Sequence, residues 1–189
     1  MNRITHFLPC SIICHGECEY VIAKQIQIKK RRDLNVIGDK NGKKCIEINS
    51  LNTFINHKFP SKESYIKVNK ESLCFDKKTK KILNHRIVAI MDKDQTPDLM
   101  FDSYVDGRMF ASFWYGEEKL ILPIYFNPDL DTVFNNHGFK IDTHKHKPAQ
   151  YFKYMTTQYS KVEEMLKSLS DAESNIRILF EYLEKTIEK

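Results

Sequence analysis

Residues Arg86-Ile87-Val88-Ala89-Ile90-Met91-Asp92-Lys93-Asp94 decide the reading of the fold. The apolar run from Ile87 to Met91 does not alternate with polar residues, and it stops abruptly at Asp92. A strand with one wet face alternates. A continuous run reads as a strand covered on both faces, the situation of a parallel sheet. Parallel strands need crossovers, and helical patterns lie on both sides of this one. Upstream, Pro9 to Cys14 reads as a short buried strand that stops at His15-Gly16. Glu17 to Lys29 places Val21, Ile22, Ile26 and Ile28 near helical spacing, and Lys29-Lys30-Arg31-Arg32 suits the negative end of that helix. Leu34 to Ile37 is a second strand, Gly38 to Gly42 a turn-rich loop, and Ile46 to His57 a strand end entering a helix capped near Asn49 or Ser50.

Downstream, Leu99 to Tyr115 reads as a helix and Leu120 to Phe126 as a strand, with Pro123 placing it at a sheet edge. Asn127 as N-cap and Pro128 in the first turn begin a helix that Asn136-His137-Gly138 ends. Between the main elements, Lys58 to Lys81 suggests a short helix and an irregular stretch. The end of the chain reads as helical. Tyr159 to Ser168 forms one helix, and the Ser170/Glu173 capping box starts another running to about Lys189. Its apolar stripe, Ile176, Leu179, Phe180, Leu183 and Ile187, packs on the domain or serves a homodimer. Strands alternating with helices give an α/β class, a parallel sheet flanked by helices over residues 1–157, followed by a C-terminal helical extension over 158–189.

Composition bounds the alternatives. The 189 residues, 41% hydrophobic and 29% charged with only 6 Gly and 6 Pro, suit one globular domain and argue against disorder. No apolar run reaches the roughly 20 residues of a membrane span, and the N-terminal stretch has no small-residue cleavage site, so a soluble cytoplasmic protein is expected. Five cysteines, an odd number, suit reduced thiols. Net charge is +5, compatible with a nucleic-acid partner, and the excess is clustered. His144-Lys145-His146-Lys147 precedes Tyr151-Phe152-Lys153-Tyr154, a basic tract interleaved with rings that suits phosphates and stacked bases. With Lys43 and Lys44, the residues Lys145, Lys147 and Lys153 are the candidate nucleic-acid contacts. Charge runs are more often solvated faces.

Two segments carry chemistry. Asp92 and Asp94 leave the carboxyl end of a buried parallel strand, where α/β sheets bind ligands. They are hard oxygen donors suited to Mg2+ or Mn2+, and two carboxylates so close are costly to ionise without a cation. The bland alternative is an acidic turn. The second segment is Ile12-Ile13-Cys14-His15-Gly16-Glu17-Cys18-Glu19-Tyr20: strand, glycine turn and acidic helix start. Zinc is not expected, because Cys10 and Cys14 would stand about 13 Å apart on one face of a strand and no Cys-x-x-Cys pair exists.

Together these segments resemble the Toprim domain, the metal-binding module of primases, topoisomerases, OLD-family nucleases and RloB-like proteins. The resemblance covers roughly Ser11 to Asn136 and is strongest to the compact OLD/RloB-like branch. In that family the first strand ends in Glu-Gly and a later strand in Asp-x-Asp, matching Gly16, Asp92 and Asp94 here. The resemblance implies a Toprim-like phosphodiesterase (nuclease) cutting DNA or RNA with Mg2+ or Mn2+, an antiviral defence effector beside a separate ATPase. Its catalytic residues would be His15, Glu17, Asp92 and Asp94, with Glu17, Glu19, Asp92 and Asp94 around the metal. The chain departs from the family at His15, which stands where the family has Glu. His15 is then a ligand or a proton carrier, Glu17 or Glu19 supplies the missing carboxylate, or the site has lost activity. In the last case the chain is a non-catalytic module that binds nucleic acid or a partner protein.

Overall fold

A computed structural model describes residues 5–7, 9–30, 34–70 and 72–188. Arg31 and Arg32 of the first basic run lie outside the described residues. In chain order the elements are β1 (Thr5–Phe7), β2 (Cys10–Cys14), α1 (Glu17–Lys30), β3 (Leu34–Ile37), α2 (Leu51–Lys58), α3 (Lys62–Asn69), β4 (Arg86–Asp92), α4 (Asp98–Val105), α5 (Trp114–Glu117), β5 (Ile121–Phe126), α6 (Leu130–Asn136), α7 (Lys147–Thr157), α8 (Tyr159–Ser168), α9 (Arg177–Glu184) and β6 (Thr186–Glu188).

Four strands form an all-parallel sheet in the order β3-β2-β4-β5. The register sets Cys14 beside Ile90 and Asp92 beside Phe126, so the ends of β2, β4 and β5 share one edge. Helices cover both faces. Cys10, Ile12, Val88 and Ile90 face a core shared with α1, α6, α7, α8 and α9. Ile13, Ile87, Ala89 and Met91 face the other core, with α2, α3 and α4. Because both faces are covered, β4 tolerates no polar position between Ile87 and Met91. Each fully buried Ile or Met there stabilises by about 1.5–3 kcal/mol.

β5 is the edge strand that Pro123 suggested, and the chain covers its open side. Tyr125 N donates to Asn175 Oδ1 (3.0 Å), Asn175 Nδ2 donates to Pro123 O (2.9 Å), and Ser174 Oγ donates to Tyr125 O (2.5 Å). These bonds satisfy strand groups that would otherwise invite a foreign strand. They also explain why the last helix starts late. Ser170 and Glu173 do pair (Oγ to Oε2, 2.9 Å), but residues 174–175 are held on β5 and α9 begins only at Arg177. It stops at Glu184, and Thr186–Glu188 is not helical but pairs antiparallel with Thr5–Phe7. Helices α8 and α9 bury Val162, Leu166, Leu179 and Phe180 in the same core as β2 and β4.

Three other expectations are corrected. The 99–115 helix is broken: α4 ends near Gly107, whose φ of +79° suits glycine, and a 3-10 turn at Arg108–Phe110 precedes the short α5. The cap of α6 is Asp129, whose Oδ1 accepts from Thr132 N (2.7 Å), and not Asn127. Asn127 is tied instead to Ala172 O and Glu173 O. No strand forms at Ile46. A 3-10 turn, Ile48–Ser50, leads into α2, and Ser50 Oγ donates to Glu47 O rather than capping the helix. Within Lys58–Lys81, α3 is capped by Ser61 and followed by turns.

Candidate metal centre

The site is built where β2 and β4 end side by side. His15 continues β2 by one residue: its N donates to Ile90 O (2.9 Å) and its carbonyl accepts from Ile46 N (2.8 Å). Gly16 then turns the chain into α1, and its N donates to Glu19 Oε2 (2.9 Å). A Cβ at Gly16 would stand 3.2 Å from that oxygen, so the bare glycine lets the Glu19 carboxylate lie against the turn. Asp92 closes β4. Asp94 follows in a left-handed conformation (φ 42°), its N donating to Pro128 O (2.8 Å). The loop after β5 adds Asp129 and α6 adds Asp131. The segment before α2 adds Glu47.

An open cleft of about 520 Å³ is lined by His15, Glu17, Glu19, Asp92, Asp94, Asp129, Asp131 and Lys147. Glu47, Asp94 and Asp129 line a neighbouring hollow. The crowding of acids shows in their proton affinities. Burial, then the charges of Glu19, Asp94 and Asp129, push the Asp92 carboxyl well above the usual range. Burial raises Glu19 too, with His15 acting against it, and raises Asp94 in the same way. Among the described residues four buried side-chain atoms have no hydrogen-bond partner, and two of them, Asp92 Oδ1 and His15 Nδ1, stand at this edge. Orphaned buried atoms are rare in native proteins and call for an ion or water. A cation between the carboxylates would lift both penalties, so these residues fit a divalent metal.

His15, Glu47 and Asp94 each offer one ligand atom, all within 4.8 Å of one another, and His15 Nε2 is 3.8 Å from Asp94 Oδ2. The structure thus brings His15, Glu17, Glu19, Asp92 and Asp94 around one cleft. Of the basic candidates only Lys147 lines it, ion-paired with Asp131, which also accepts from Tyr151 OH (2.6 Å). Lys44 pairs with Asp39 (3.4 Å) and Lys145 with Asp142 (3.1 Å). Lys43 and Lys153 are exposed and outside the cleft lining.

Sequence reasoning missed Glu47, Asp129 and Asp131. The last two had a signal, since Asp129-Leu130-Asp131 is a second Asp-x-Asp following a buried strand. Glu47 had none, because only the bond from Ile46 N to His15 O brings its segment to the edge. Among the described residues no helix is long and apolar enough to cross a membrane. Comparison with family models, with curated proteins and with solved structures returns no match.

Proposed function

We propose that the chain is a divalent-metal-dependent phosphodiesterase acting on DNA or RNA, with a Toprim-like site. One observation carries the reading: Asp92 holds a buried carboxylate oxygen without a partner at the point where carboxylates from β4, α1 and the loop after β5 converge. A bound cation supplies positive charge for the phosphoryl oxygens and acidifies the attacking water.

The chain's own residues prepare the rest. Asp92 and Glu19 would hold the cation, with Asp94 and Asp129 near by. Glu17, half-buried in the first turn of α1, lines the same cleft. Lys147, paired with Asp131, which Tyr151 OH holds in turn, brings positive charge to the cleft lining for a phosphate. His15 faces Asp94 and not open water, which favours a ligand's role over a proton carrier's.

The test is cleavage of end-labelled single- and double-stranded DNA and RNA with Mg2+ or Mn2+. Asp92→Asn, which keeps the volume and removes the charge, is expected to lower the rate by about 10³-fold or more, in the range of lost transition-state charge stabilisation. Cleavage by Asp92→Asn at the wild-type rate would sink the assignment.

A further inference from the structure

We infer that His15, Glu47 and Asp94 form a cation subsite of their own, which takes a first-row transition dication in preference to Mg2+. The inference rests on the proposed function for the use of the cation, but not for its binding.

The donor set comes first. The subsite offers one imidazole nitrogen and two carboxylates. Mg2+ demands a shell of oxygens and keeps much of its water, whereas imidazole bonds more strongly to the transition dications. The neighbouring donors differ in kind: Glu19 and Asp92 are both carboxylates, and Glu19 already accepts from Gly16 N. The cleft therefore has an inner all-oxygen end and an outer end with nitrogen.

Geometry agrees. The 3.8 Å between His15 Nε2 and Asp94 Oδ2 is too long for a hydrogen bond, so the two groups are not closed on each other. Ligand atoms about 2.1–2.2 Å from a shared ion stand roughly 3 to 4.3 Å apart, and the observed spacing falls within that span. His15 is only 7% exposed, and its Nδ1 has no hydrogen-bond partner among the described residues.

The three ligands also arrive on fixed backbone. His15 is pinned between Ile90 and Ile46. Glu47 is held by Ser50, whose N and Oγ both donate to its carbonyl (3.0 Å each). Asp94 is held by Pro128. Little ordering remains to be done when the ion enters, which favours binding.

The experiment uses the full chain with Mn2+ as probe, by titration calorimetry against Mg2+ and by pulsed electron paramagnetic resonance. In the wild type Mn2+ is expected to bind at least about 10-fold more tightly than Mg2+, with a nitrogen-14 coupling from directly bound imidazole. His15→Glu should abolish that coupling and bring the two affinities together. Glu47→Gln changes an exposed side chain and so tests the site without threatening the fold. It should weaken Mn2+ about 10-fold while the coupling persists. Mn2+ bound without nitrogen coupling, or with an affinity that Glu47→Gln leaves unchanged, overturns the subsite. If the coupling is found but no nucleic acid is cut with any cation, the subsite stands and the nuclease reading falls. If nucleic acid is cut in an Asp92-dependent way without the coupling, the reverse holds.

Discussion

The two ends of the sheet each bury a histidine, and they treat it in opposite ways. At the amino end His85, 1% exposed, has its Nδ1 hydrogen-bonded to Tyr65 OH and packs edge-on against that ring. Burial pushes it down to about 4, so it is neutral at pH 7. Its neighbours answer one another. Asn84 accepts from Cys74 N and donates to Ser72 O, and Tyr182 OH donates to Pro9 O (2.9 Å). At the carboxyl end His15, 7% exposed, keeps an orphaned Nδ1, and Asp92 keeps an orphaned Oδ1. Burial is nearly the same, so burial does not separate structure from function. The missing partner does. The imidazole at one end is tied into the fold and the one at the other keeps an unpaired nitrogen, although Ser11 Oγ near the amino end is also without a partner.

The sharpest way to break this contrast is pH. The Asp92 and Glu19 carboxyls are raised in the folded state. Their neutral forms are favoured by folding, so their contribution is complete below the unfolded values near 4 and is lost as pH rises through the folded ones. Chemical denaturation in a chelator should therefore show stability falling from pH 4 to 7, and Asp92→Asn should flatten the slope. A wild-type profile that rises over this window removes the claim that the acids are crowded without a cation.

Next in size is the response to the ion itself. Mg2+ at 100 times its dissociation constant should add about 2.7 kcal/mol to stability at pH 7, seen as a thermal shift, and almost nothing in Asp92→Asn. An equal shift in both proteins would place the ion elsewhere. At the amino end, Tyr65→Phe leaves His85 Nδ1 without its partner. It should cost about 1–3 kcal/mol in denaturant titration while Mn2+ affinity is unchanged. A drop in Mn2+ affinity would mean that the two ends are not independent. The smallest effect belongs to Lys147→Gln. Nucleic-acid affinity measured against salt should lose about 0.9 from its log–log slope if this ammonium meets one phosphate. No change in slope would leave Lys147 as Asp131's partner only.

Much of this was legible in the residues. The unbroken runs Cys10–Cys14 and Ile87–Met91 announce buried parallel strands, and the polar residues that stop them mark the edge where the site lies. Pro123 announced an edge strand. What stayed hidden depends on contacts distant in sequence. Glu47 looks like any loop acid until Ile46 bonds to His15. The side chains of Ser170 and Glu173 pair but cap no helix, which waits for Arg177 because Ser174 and Asn175 are committed to β5. Gly107 breaks a helix that the apolar spacing of 99–115 would have continued.

The left-handed backbone of Asp94 has a consequence for descent. At φ 42° most side chains crowd their own carbonyl, and Gly, Asn and Asp are the residues that pay least. Asn and Gly are each one base change from an Asp codon. A lineage that no longer needed the cation is free to take either, with its fold intact. The letter found at this position in a related chain therefore records whether selection still maintains the site, and it can be read from a gene before any protein is made.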